Sequence, residues 1–196
     1  MGRIKSALEL ALERTEGVEG DKGSLEQYEA KRQGNKLANE FLENPAAPVT
    51  FGEAIRKAPG AVKAALRQGL FDVFLARISL PAYDDDLKRI DALGKGLQTL
   101  LNEPRFPALW KQFQAAAARY LDEAAQYEDA IKRQYEPQLR QKEAELSRRL
   151  GQEVRIDPFQ DPDFVAFYKK NMDALKAKYE AIVRDVREQV VNFQSK

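Results

Sequence analysis

The chain has 196 residues, 43% of them apolar and 32% charged, with 32 basic side chains set against 31 acidic ones. That composition fits a water-soluble, helix-rich protein rather than a disordered one, and the balanced charge lacks the basic excess that nucleic-acid binding draws on. Cysteine and histidine are both absent, which excludes disulfides, thiolate and imidazole metal sites, cysteine nucleophiles and Ser-His-Asp triads together.

From Arg3 to Thr15 the residues Ile4, Ala7, Leu8, Ala11 and Leu12 share one face, so a short amphipathic helix is expected, ending near Gly17. Arg3, Lys5, Glu9, Glu13 and Arg14 interrupt any apolar run of signal-peptide length, and no later run of about 18 apolar residues follows. A cytoplasmic location is therefore the expectation, and membrane association is not. The three glycines of Gly17-Val-Glu-Gly-Asp-Lys-Gly23 read as a flexible linker. Ser24 with Gln27 has capping-box spacing and opens a second helix with Leu25, Tyr28, Leu37, Phe41 and Leu42 as its apolar set, weakened in the middle by Gly34.

The run Met1-Gly-Arg-Ile-Lys-Ser-Ala-Leu-Glu-Leu-Ala-Leu-Glu-Arg-Thr-Glu16, with Asp21-Lys22 after it, resembles the opening of a family of uncharacterised bacterial helical proteins. The resemblance covers residues 1–22 only. It implies a bacterial helical protein with a domain of unknown function, and it transfers no site.

Asn44-Pro-Ala-Ala-Pro-Val49 stops the second helix, and Thr50 with Glu53 repeats the capping spacing before a short helix carrying Phe51, Ala54 and Ile55. From Gly60 the set Val62, Leu66, Leu70, Val73, Phe74 and Ile78 marks the most apolar helix, closing at Leu80-Pro81. Tyr83-Asp84-Asp85-Asp86 precedes Leu87, Ile90, Leu93, Leu97, Leu100 and Leu101. The aspartates could suggest a metal, but acidic residues in a first helical turn complement the dipole and the free N–H groups there. Gly94-Lys95-Gly96 has the wrong spacing for a phosphate loop and reads as close helix packing.

The segment from about 107 to 150 carries Leu109, Phe113, Ala116, Tyr120, Ala124, Tyr127, Ile131, Tyr135, Leu139, Leu146 and Leu150 in steps of mostly three and four. Pro137 removes one backbone bond within it and clashes with the Arg133 carbonyl, so a kink or break is expected there. Phe164, Tyr168, Met172, Leu175, Tyr179, Ile182, Val186, Val190 and Phe193 give a matching stripe over 162–193, after Asp161 as N-cap and Pro162 at the first helical position. Asp157, Asp161 and Asp163 lack the ligand spacing of an EF-hand loop, and capping accounts for them more simply. The tyrosines could line a groove for a hydrophobic ligand, but at helical spacing they read as core. Lys132, Arg133, Arg140, Lys142, Arg148 and Arg149 alternate with Glu136, Glu143 and Glu145, as on a solvated face.

The expected fold is all-α, an elongated helical bundle on a long antiparallel hairpin of about 107–150 and 162–193. Residues 1–23 form a helix and linker, 24–104 a short-helix region, and 105–196 the hairpin packed with 24–104 as one domain. Because the hairpin outruns the short helices, a homo-oligomer through the long helices is expected. The functional expectation is a non-catalytic, self-associating interaction or scaffold protein of the bacterial cytoplasm, with a possible protein partner. No catalytic residue, cofactor, metal site or nucleic-acid partner is expected. The alternative is a carrier or sensor binding a hydrophobic small molecule between helices.

Overall fold

The computed structural model describes residues 7–44 and 51–194, with side-chain surroundings described from residue 23 onward apart from 45–50. The fold is all-α. Helices α1 (Ala7–Glu43), α2 (Phe51–Lys57), α3 (Gly60–Arg77), α4 (Asp85–Leu101), α5 (Phe106–Leu150) and α6 (Pro162–Gln194) are joined by short connections, with one 3-10 turn at Pro158–Gln160. Among the described residues none is in a strand, and no helix is long and apolar enough to cross a membrane.

The start of the chain departs from the sequence expectation. Helix α1 runs unbroken through Gly17, Gly20 and Gly23, so these glycines do not form a linker and Ser24 is a mid-helix residue that caps nothing. Each glycine costs a helix about 1 kcal/mol relative to alanine, yet glycine keeps its N–H and clashes with nothing, and no proline occurs before Pro45. Residues 1–6 and the capping residue Thr50 lie outside the described residues. Leu25 and Tyr28 are 58% and 67% exposed, and the buried face of α1 is instead Ala30, Gly34, Ala38 and Phe41.

Residues 1–78 and 92–104 form one compact unit, and 79–91 and 105–196 form the other. Helix α4 contributes its first seven residues to the second unit and the remainder to the first.

In the first unit small residues set the geometry. A Cβ on Gly34 would press into the Leu66 carbonyl oxygen and come within 3.1 Å of Gly69 Cα, and a Cβ on Gly69 would press into the Lys31 carbonyl oxygen. Helices α1 and α3 therefore cross backbone to backbone. Phe41, Phe51 and Phe74 meet edge to face with ring centroids 5.4–6.1 Å apart. Gly96 on α4 leaves room for two of these rings, as a Cβ there would lie 2.9 Å from Phe74 and 3.0 Å from Phe41. The close-packing reading of the 94–96 glycines is thus correct at Gly96. Lys31 pairs with Asp72 at 2.8 Å across the crossing. Helix α3 ends at Arg77 rather than Leu80, because Ile78 turns extended and donates its N–H to the Leu75 carbonyl. Pro81 further disfavours helix at Leu80.

In the second unit Trp110 packs between Phe106 and Phe113 and donates from Nε1 to the Ile90 carbonyl at 3.2 Å, while Gln114 donates to Asp91 at 2.6 Å. Along α5 and α6 the cross-helix pairs are Arg105 with Phe193, Tyr120 with Tyr179, Glu123 with Lys178, Glu128 with Tyr168 and Tyr135 with Phe164. Residue numbers climb on one helix as they fall on the other. Pro137 does not break α5. It lies on an exposed face, where water can take the hydrogen bond that the Arg133 carbonyl loses.

Candidate functional site

Tyrosine, carboxylate and lysine recur together along the α5–α6 seam. Glu128 accepts from Lys132 at 2.6 Å and from the Tyr168 hydroxyl at 3.2 Å. Glu123 accepts from Lys178 at 3.1 Å and from the Tyr179 hydroxyl. The third set closes the turn. Lys142 Nζ donates to both oxygens of Asp161 at 2.9 and 2.7 Å, to Asp163 at 2.7 Å and to the Tyr135 hydroxyl at 3.3 Å.

The surroundings move the pKa of each of these groups further from neutral pH, keeping the carboxylates and lysines charged and the tyrosines neutral. The hydrogen bonds from Tyr179 and Lys178 hold Glu123 below the usual carboxylate range, that from Lys132 does the same for Glu128, and that from Lys142 does so for Asp161. Lys132 and Lys142 are raised by the carboxylates they bind. Tyr168 and Tyr179 are raised by burial and by the neighbouring glutamate. A general acid or base works best with a pKa near the working pH, and these shifts all run the other way. Each set is a lysine–carboxylate ion pair joined by a neutral tyrosine hydroxyl.

The aspartates at the turn have separate tasks. Asp161 is the N-cap of α6, accepting from the N–H groups of Asp163 at 2.9 Å and Phe164 at 3.4 Å, as capping predicts. Asp157 accepts from the Phe159 N–H at 3.0 Å to start the 3-10 turn. Near α4, Asp86 accepts from the N–H groups of Ala82 and Tyr83 at 2.8 and 3.1 Å, while Asp85 pairs with Lys88 at 2.8 Å. Among the described residues no group of three or more carboxylates is placed to hold a metal ion.

Beyond the Lys142 clasp α5 continues for eight residues to Leu150, about 12 Å at 1.5 Å per residue. Gly151 closes that helix in the left-handed conformation (φ 70°), its N–H reaching the Ser147 carbonyl. The returning loop is pinned to the overhang by hydrogen bonds from the Val154 N–H to Ser147 Oγ and from the Ile156 N–H to Glu143, both 2.9 Å. Between overhang and loop is an open groove of about 400 Å³, lined by Lys142, Glu145, Leu146 and Arg149 on one side and by Ile156 and Pro162 on the other. A smaller groove of about 210 Å³ lies beside Tyr135, Leu139, Pro158 and Phe164.

The structure brings four of the five tyrosines noted in the sequence, 120, 135, 168 and 179, into the seam and leaves Tyr127 44% exposed. The mildly basic second half of α5 is only partly a solvated face. Arg140 pairs with Glu136 one turn away, but Lys142 reaches 19 and 21 residues along the chain to its carboxylates. Spacing could not show this clasp, since neither separation is a helical repeat.

The chain belongs to a family of unknown function, DUF6657, which matches residues 52–192. That span includes the seam and the turn, and leaves out residues 1–22, on which the resemblance read from the sequence rested. Comparison with curated proteins and with solved structures returns no match.

Proposed function

We propose that the chain is a non-catalytic interaction or scaffold protein of the bacterial cytoplasm that associates with itself through the paired helices α5 and α6. One observation carries this reading: the pair leaves large apolar side chains uncovered. A two-helix layer buries one stripe per helix, and Tyr127, Phe159, Val165 and Val191 remain more than a third exposed on these helices and their turn. Covering such side chains with a second copy stabilises by roughly 25 cal/mol for each Å² of apolar surface removed from water. The fixed charge pairs of the seam also favour a binding role over catalysis, since their shifts take the groups out of the range useful for proton transfer.

Light scattering coupled to size exclusion tests the proposal. A dimer or larger species is expected at micromolar concentration, falling toward monomer on dilution and in a Tyr127→Asp, Val165→Asp double variant that keeps its helical circular dichroism. A monomer at all concentrations up to roughly 100 µM, a Kd of that size corresponding to only about 5.5 kcal/mol of association, refutes it.

A further inference from the structure

We draw no further inference here: the strongest candidate, the pair of open apolar grooves at the α5–α6 turn, one lined by Leu146 and Ile156 and the other by Leu139 and Phe164, carries charges of both signs on its rims, and nothing in the structure shows what covers it.

Discussion

Replacing Gly34 by alanine should destabilise the first unit even though alanine is the better helix former. In an open helix the change gains about 1 kcal/mol. At Gly34 the new Cβ would sit roughly 1 Å inside the ~3.3 Å at which carbon and oxygen ordinarily meet, against the backbone carbonyl of Leu66, with Leu70 N 3.0 Å away. Backbone atoms in the middle of a helix cannot rotate aside as a side-chain tip can, so α1 and α3 must separate. A gap of 0.5–1 Å forfeits about a quarter to a half of the dispersion energy of each contact along the interface, and overpacking of this kind costs about 1–3 kcal/mol. Because the obstacle is backbone, the upper part of that range applies, leaving a net loss of about 2 kcal/mol after the gain in propensity.

Urea unfolding followed by far-ultraviolet circular dichroism measures the change. Gly23→Ala is the control, since a Cβ there meets nothing within 4 Å, and it should stabilise by up to about 1 kcal/mol. Gly69→Ala should resemble Gly34→Ala, and the double variant should lose less than the sum, because helices already separated by one Cβ accept the second at lower cost. If Gly34→Ala equals or exceeds the wild type in stability, the backbone-to-backbone crossing does not control this interface.

Pro137→Ala should stabilise by about 2 kcal/mol, the ~3 kcal/mol helix penalty of proline less the entropy that alanine returns to the unfolded chain; an unchanged urea midpoint would show that the surrounding α5 backbone has already absorbed the cost. Asp161→Asn should keep the N-cap, since Asn caps as well as Asp, but lose the ion pair with Lys142. As the folded pKa of Asp161 lies below its unfolded value, its contribution is present above about pH 4 and fades as pH falls through the folded value. Thermal melts should therefore show a flatter acid limb in the variant, and an identical limb would mean that the clasp adds nothing. The raised Lys142 has the opposite sign, its contribution being complete below about pH 10 and lost only in strong alkali. Trp110→Phe leaves the Ile90 carbonyl without its indole donor and should cost about 1 kcal/mol, read from the urea midpoint by circular dichroism; no change would indicate that water replaces the donor.

What the sequence made legible follows from periodicity. The stripes of α5 and α6 recur in steps of three and four over many turns, and Phe113, Ile131, Tyr135, Phe164, Leu175, Tyr179, Val186 and Val190 are all buried. Proline placement likewise marked the start of α6. Two kinds of feature were hidden. Glycine reads locally as a weakness, which hid the unbroken course of α1, and the use of Gly34 as a contact surface depends on α3, which begins 26 residues later. The Lys142 clasp joins residues with no periodic relation, and the groove beyond it exists because α5 and α6 differ in where they end and begin, which a list of apolar positions does not convey.

The polar sets along the seam bear on why this pair of helices has one alignment. A seam of aliphatic side chains repeating every three or four residues presents nearly the same surface after a slip of one turn, about 5.4 Å. Burial alone discriminates poorly between such alignments. Tyr179 with Glu123, Tyr168 with Glu128 and Asp161 with Lys142 join the two helices at three heights, and a one-turn slip would separate all three together. Pairs this exposed add little stability individually, about 0–1 kcal/mol for a surface ion pair. Their larger effect is to disfavour the slipped alternatives, in which Asp161, itself only 4% exposed, would lose its cation while remaining partly desolvated. The same clasp fixes how far α5 overhangs α6, and so how much of the apolar stripe of α5 the second helix leaves uncovered.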